Sequence, residues 1–440
     1  MSTVIVGAGV TGLTVALKCL EQGEDVVVLE KDSVAGGLCR TYDYGDFLFD
    51  IGPHRLYSPD PSIDSFFLAV LGDAHVGVPR VSQVKLNGNY HDWPLRFGSA
   101  LTFPPKLLAR CAIDFLSRRG NGKPHASLED YVRSTYGQTI YETFWRDYTA
   151  KFVGIPCSEV DASWGALSVN RSVVDKSQRP GNLLDLVRSS LSKKDSTLHF
   201  IYPTGGMGRF PDAMVTQVKA AGRGSVKLNQ TVRGIRVENG CVRAIDTDDA
   251  SMPVDRLIWT APITQLADFV GVPVPRVQYL DMLLFNVMVD KALPGKWQWI
   301  YFPCNETVFS RISRPDQFHP AMAPENATGL CVEVSVPGGP PDQAELAALT
   351  ERIYDELLAV RMVPSRSAII GCEIEHVPYA YPVYRKGFRP LVDATHAEIA
   401  AIDGLEVVGR QAMFDHDNID EAVASAFELC KGFQTVDVPQ

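Results

Sequence analysis

Residues 2–13 read STVIVGAGVTGL, and residues 25–30 read DVVVLE. Thr3 to Val6 form a short β-branched run that stops at glycine, the pattern of a buried parallel strand. Residues 11–23, TGLTVALKCLEQG, carry apolar side chains at helical spacing. They end on Gly23, and glycine is favoured at a helix C-terminus. Residues 25–30 predict a second strand, closed by Glu30, 18 positions beyond Gly12. One β-α-β unit therefore opens the chain, with Gly7, Gly9 and Gly12 at its strand-to-helix turn.

Each glycine has a separate task in such a unit. Gly7 permits the tight turn, Gly9 lets the backbone approach a pyrophosphate, and Gly12 lets helix and strand pack closely. The helix N-terminus offers free N–H groups and the positive end of its dipole to the phosphates. Glu30, with Lys31 beside it, stands where a carboxylate can accept both hydroxyls of an adenosine ribose. A glycine turn that binds nothing is the alternative. It is disfavoured because strand, glycines, helix, second strand and acid all fall in register within thirty residues.

Composition excludes several classes. The chain has 440 residues, room for two or three domains, with 45% apolar and 21% charged side chains. A net charge of −10 argues against a nucleic-acid surface, which needs a basic stripe. No stretch reaches about eighteen uncharged apolar residues, so no membrane span is expected. The N-terminal run lacks a basic leader and ends in the glycine turn, so it does not read as a signal peptide. Nine scattered cysteines without a C-x-x-C pair suggest reduced thiols in a cytoplasmic protein and no metal site.

Residues 31–57, KDSVAGGLCRTYDYGDFLFDIGPHRLY, add a second glycine pair, Gly36 and Gly37, then Arg40 and Thr41. This arrangement resembles the FAD-dependent superfamily of amine oxidases, protoporphyrinogen oxidases and UDP-galactopyranose mutases, where the second loop runs beside the FAD pyrophosphate. The run FDIGPHRLY resembles the segment that passes the isoalloxazine ring. Residues 405–427, LEVVGRQAMFDHDNIDEAVASAF, resemble the C-terminal FAD motif, in which Gly409, Arg410, Asn418, Ile419 and Asp420 would close over the flavin end. A helix N-terminus there would stabilise negative charge on reduced flavin. Residues 226–245 alternate like a hairpin turning at Asn239–Gly240. The resemblance puts Val232 against the adenine.

The resemblance implies tightly bound FAD in an α/β fold: a Rossmann-type FAD-binding domain interleaved with an α+β substrate domain of antiparallel sheet and helices. Residues 1–80, 200–270 and 395–440 would form the FAD-binding domain, and 81–199 and 271–394 the substrate-binding domain. Residues 202–210, YPTGGMGRF, would make the glycine turn that returns the chain to the FAD domain. Residues 117–127 read as an exposed connection.

Residues 145–173 carry a YT-x-K-x-x-G-x-x-x-SE spacing that looks like UDP-galactopyranose mutase. The same likeness places Arg171 at a nucleotide-sugar pyrophosphate, a task suited to a guanidinium fork. Tyr381, in YAYPVYRKGF, would face the same diphosphate. The mutase's second arginine is missing, because Leu280, Asp281 and Leu283 occupy its candidate places, and Asp281 would repel a diphosphate. Arg311 or Arg314 could substitute. The mutase scaffold is therefore expected without the mutase activity. The amine-oxidase branch fits less well, since Leu284, Phe285 or Asn286 stand where its lysine is kept. Its C-terminal aromatic cage is reduced to Phe414.

Other residues admit two readings each. His54 either contacts the ring or bonds within a turn, and Arg55 either steadies a substrate anion or pairs locally. Asp415, His416 and Asp417 line the site or cap the last helix, since neighbours in sequence converge poorly on a metal. Cys39 is expected buried and inert. Residues 97–116 are expected to form a helix packed on the substrate domain, in preference to a membrane-facing one. The lead expectation is an FAD-dependent oxidoreductase, or flavin-dependent mutase-like enzyme, acting on a small polar metabolite such as a sugar nucleotide in biosynthesis, with His54, Arg171 and Tyr381 serving the substrate. A dioxygen-using oxidase of an amine or tetrapyrrole-like ring and a non-catalytic flavin-bound scaffold are the rivals. A homodimer is possible.

Overall fold

The computed structural model describes residues 2–93, 103–117, 125–165 and 199–433. Strand β1 (Ser2–Val6), helix α1 (Val10–Glu21) and strand β2 (Asp25–Leu29) form the opening unit. Helix α1 ends before Gly23, which adopts φ +84°, the left-handed conformation that stops a helix at low cost in glycine. Its residues are buried along nearly the whole length, because it is covered by the helix Arg209–Ala220 and the final helix Ile419–Phe433 as well as by the sheet.

Among the described residues five strands make the parallel sheet, in the order Leu405–Val407, Arg256–Trp259, β1, β2 and Gly224–Lys227. A seven-stranded sheet stands apart from it, with the order Ile369–Val383, Gln278–Val289, Thr328–Val336, Arg311–Ser313, Trp299–Tyr301, Ser82–Leu86 and Asn89–Trp93. It is antiparallel except where Trp299–Tyr301 runs parallel to Ser82–Leu86. The fold is thus mixed α/β, one sheet parallel and one largely antiparallel. The expected hairpin is present as Val232–Glu238 and Cys241–Thr247, with Asn239 at φ +51° and Gly240 at φ +76°, both residues of a tight primed turn. Gly205 and Gly206 turn the chain at φ +85° and +110°.

One expectation is met only in part. The helix Pro105–Ser117 does not turn its full apolar stripe inward, since Ile113 is 64% and Leu116 77% exposed. It packs beside Gln138–Ile140 and is moored there through a polar contact, the Asp114 carboxylate accepting the Thr139 N–H at 2.6 Å. Most of residues 117–127 lie outside the described residues.

Candidate active site

One continuous cavity of about 950 Å³ runs from the β1–α1 turn to the face of the seven-stranded sheet. That is at the upper end of the size range for a large ligand or cofactor site. At its first end Gly7 sits at φ +101° and its N–H donates to the Leu29 carbonyl at 2.8 Å. A side chain at Gly7 would collide with Thr260 Oγ1, and one at Gly12 with the Gly7 carbonyl oxygen. Gly9 differs: a Cβ there would meet nothing of the protein within 4 Å, so the chain keeps open space beside the helix N-terminus. The second glycine loop lies directly on the first, with the Gly36 N–H donating to the Ala8 carbonyl at 2.8 Å.

Glu30 is buried at the tip of β2. Its carboxylate accepts the Ala8 N–H at 2.8 Å and the Asp32 N–H at 3.0 Å, which fixes both oxygens in place. Lys31, Gly37, Arg40 and Val232 line the same end. Arg40 donates to the Gly37 carbonyl at 3.0 Å and pairs with Asp32 at 3.0 Å, so it clamps the second loop. Open space at Gly9, an exposed helix N-terminus and a fixed buried carboxylate together fit a dinucleotide. FAD could be held here by Gly9, Glu30, Lys31, Gly37, Arg40 and Val232. Gly12 and Gly409 do not line the cavity. Gly12 lets α1 close on β1, and Gly409, at φ +93°, backs the first turn of α1, where a side chain would press on Thr11 at 2.9 Å.

Arg410, Asn418 and Ile419 line the middle of the cavity, where the final helix begins. The Asn418 N–H donates to Glu421 at 2.8 Å, so the helix start is capped from within. His416 and Asp417 line the wall, whereas Asp415 turns away to Arg389 at 2.8 Å. Among the described residues no group of three metal-ligating side chains forms. Cys39 is buried, and burial pushes its thiol up to about 12.

The far end is a chamber of aromatic and basic side chains. Tyr381 stacks on His416 (5.1 Å, 19°), lies under Arg410 (4.5 Å) and meets Phe152 edge-on (5.2 Å). Tyr148 meets Tyr301 edge-on at 6.2 Å. Arg311 grips Glu333 with two bonds of 2.6 Å, and Glu333 is 1% exposed. The pair sits beneath the loop that carries His54: a Cβ on Gly52 would lie 3.0 Å from Glu333 Oε1 and 3.3 Å from Arg311 Nη2, and Gly52 adopts φ +68°.

His54 and Tyr381 are brought to one cavity, while Arg171 lies outside the described residues. Burial first, then the charges of Arg311 and Arg410, lowers the His54 ring to about 3, so it is neutral at pH 7. Its Nδ1 is buried without a hydrogen-bond partner among the described residues. A ring depressed from about 6.5 stays neutral while the unfolded chain protonates, so its contribution is intact above about pH 6.5 and is lost as pH falls toward 3. Stability should therefore fall below pH 6.5 by up to about 1.4 kcal/mol per pH unit from this group. In His54→Asn the acid limb of a melting-temperature profile should flatten, and an unchanged limb would assign the acid sensitivity elsewhere.

Asp281, expected to repel a diphosphate, does not face the cavity. Leu280 and Leu283 are core residues, and Asp281 is not a wall of the cavity. Its carboxylate takes the Tyr379 N–H at 2.9 Å and the His376 ring at 2.9 Å. Tyr379 sits at φ +54° where the register of the two strands slips, and Asp281 satisfies the backbone at that bulge. Arg314 is also removed from the site, paired with Asp316 at 2.7 Å and bonded to the Leu293 carbonyl at 3.1 Å. Arg311 does line the cavity, with its charge met by Glu333. The sequence reading missed Arg80, Tyr148 and Tyr301. The conspicuous Lys151 serves structure, donating to the carbonyls of Phe302 and Cys304 at 2.6 and 2.8 Å.

Residues 10–287 match the family of flavin containing amine oxidoreductases, and the chain belongs to it. It is accordingly an FAD-dependent oxidoreductase. It is 24% identical over 466 residues to protoporphyrinogen oxidase 2 of Arabidopsis thaliana, covering 91% of this chain and 86% of that one. It is 27% identical over 172 residues to a probable UDP-galactopyranose mutase of Klebsiella pneumoniae, covering 36% and 42%. A reduced UDP-galactopyranose mutase has the same fold, with a TM-score of 0.84 at 20% identity, over 100% of this chain and 96% of that one.

Replacing Glu30 by alanine removes the carboxylate proposed to hold the ribose. FAD should bind about ten- to a hundredfold more weakly, the weight of a charge-assisted hydrogen bond or two. Flavin fluorescence during dilution reads this, and an unchanged dissociation constant would refute the assignment.

Proposed function

We propose that the enzyme oxidises or rearranges a small polar metabolite, a sugar nucleotide or related carbohydrate, and is not a UDP-galactopyranose mutase. The observation that carries this reading is the chamber itself: Arg55, Arg80 and Arg311 with Tyr148, Tyr301 and Tyr381 at the end of the cavity opposite the dinucleotide turn. Such a wall of donors suits hydroxyls and oxyanions and would leave unmatched polar groups against a hydrocarbon. Bound FAD supplies the redox chemistry, as hydride acceptor. Tyr381, held between His416 and Phe152, orients the substrate. Neutral His54 serves as a hydrogen-bonding group at the cofactor-facing loop. Arg171 remains the candidate second phosphate ligand. The interleaved division into FAD-binding segments 1–80, 200–270 and 395–440, with the rest binding substrate, belongs to the same reading.

Against mutase activity stands the absence of a free arginine on the strand Gln278–Val289, with Arg311 neutralised by Glu333. The experiment reduces the purified holoenzyme, adds UDP-galactopyranose and looks for the furanose form. A parallel arm offers sugar nucleotides, free sugars, amines and a tetrapyrrole-like ring to the oxidised enzyme and follows flavin bleaching without oxygen. Furanose formation at an enzymic rate would make the protein a mutase. Bleaching by an amine or a tetrapyrrole-like ring, with none by carbohydrates, would favour the oxidase reading.

A further inference from the structure

Two buried thiols face each other on the helices that frame the cofactor end of the cavity. Cys19 lies on α1 and Cys430 on the final helix, 0% and 2% exposed, within one hydrophobic cluster. Two contacts set the register of the helices on either side of Cys19. The Lys18 ammonium lies 4.7 Å over the Phe427 ring, and the Gln22 amide donates to the Cys430 carbonyl at 3.1 Å. Lys18 and Gln22 are about one helical turn apart, as are Phe427 and Cys430, so Cys19 is carried against Cys430. The two thiols share a hydrogen bond. Both helices also begin at the cavity, which Val10 and Thr11 line from one and Ile419 and Ala422 from the other. They therefore run side by side from the cofactor's site to the thiol pair.

The pair differs chemically from other buried cysteines of the chain. Burial pushes Cys39 and Cys331 up to about 12. At Cys430 the hydrogen bond from Cys19, aided by the Arg256 charge, outweighs burial and holds the thiol below its ordinary value. Cys19 is raised in turn, by the same bond and then by burial. Arg256 is anchored there, 4.0 Å over the Phe433 ring and paired with Glu24. A thiolate-prone cysteine beside a protonated one is the arrangement in which one sulfur is oxidised and the second resolves it. Cys430 stands in the last turn of its helix, and helix ends fray, which gives a small oxidant access to a sulfur that is buried on average.

We propose that Cys19 and Cys430 are a peroxide-sensitive dithiol whose disulfide ties the two cofactor-framing helices together. The Cys430 thiolate attacks hydrogen peroxide: an S–O bond forms, the O–O bond breaks, and hydroxide leaves and takes up a proton as water. The Cys19 sulfur, giving up its proton, then attacks that of Cys430: the S–S bond forms, the S–O bond breaks, and a second water leaves. Two thiols lose two electrons, and one peroxide is reduced to two waters. The pair sits behind the cofactor's site and away from the chamber, so its role holds whatever the substrate.

The experiment treats the FAD-loaded protein with a few equivalents of hydrogen peroxide, alkylates it and digests it without reductant. Mass spectrometry should find the peptides of Cys19 and Cys430 joined, two hydrogens lighter than their sum, and dithiothreitol should separate them. Flavin fluorescence on dilution should show FAD leaving the oxidised protein about tenfold more slowly, and the melting temperature should rise. Cys19→Ala and Cys430→Ala, checked for flavin content before treatment, should lose both responses. In Cys19→Ala, dimedone should trap a sulfenic acid at Cys430. Oxidation of other cysteines while Cys19 and Cys430 stay reduced, or a link that forms only in urea, would overturn the proposal. So would a link that leaves FAD release and melting temperature unchanged, because the disulfide would then not act on the cofactor. Should either variant fail to fold, the peptide map and FAD release of the wild type still decide.

Discussion

Glu333→Ala should destabilise the protein by about 3–5 kcal/mol, the cost of stripping one partner from a buried ion pair. Glu333 meets Arg311 with two bonds of 2.6 Å and is 1% exposed, so no water can take its place cheaply. The loss would not stay local. The pair underlies Gly52, and the loop that follows carries Pro53, His54 and Arg55 into the cavity. Glu333→Gln keeps a hydrogen bond but frees the cation, and should cost less while drawing anions more tightly into the chamber. A double change, Arg311→Met with Glu333→Leu, should restore much of the stability, because apolar residues of similar volume often replace a buried pair without loss. Chemical denaturation reads all three. A shift below about 1 kcal/mol in Glu333→Ala would mean that the pair is solvated.

Gly9→Ala and Gly12→Ala should fail in opposite ways. At Gly12 a Cβ runs into the Gly7 carbonyl oxygen and sits 3.3 Å from Ile5 Cγ2, so α1 must lift from β1. Overpacking of this kind costs about 1–3 kcal/mol and shifts the helix N-terminus with it. Gly12→Ala should therefore lose both stability and FAD. At Gly9 a Cβ meets no protein atom within 4 Å and the backbone φ of −73° is ordinary. Gly9→Ala should fold as well as the parent without cofactor, and bind FAD about a hundredfold or more weakly because the methyl stands where a phosphate approaches. Comparing melting temperature with flavin content separates the two. A Gly9→Ala protein that keeps its flavin would place the dinucleotide elsewhere.

What could be read from the residues was what neighbours in sequence determine. Gly7, Gly9, Gly12 and Glu30 are local to one β-α-β unit, and Asn239–Gly240 needs only its own turn. The chamber was legible in part. Arg311 and Glu333 are 22 residues apart and meet because they are paired across adjacent antiparallel strands, a register that no periodicity specifies. Arg80 and Trp299 come together through a parallel pairing of Ser82–Leu86 with Trp299–Tyr301. Asp281 was misread as a wall residue for the same reason. Only the bulge at Tyr379 explains why a carboxylate is wanted on a largely apolar strand.

The order of the parallel sheet bears on how the chain is made. β1 lies between β2 and Arg256–Trp259, and the next strand outward is Leu405–Val407. During translation β2 follows β1 directly, whereas Arg256–Trp259, which covers the other edge of β1, comes far later. At about 5–20 residues per second, roughly 13–50 s separate residue 6 from residue 259, where the strand that covers its second edge ends. Throughout that interval the edge of β1 is unpaired and open to other chains. The residues of the final helix that line the cavity are made later still, so the pocket for the cofactor is complete only once that helix has been made.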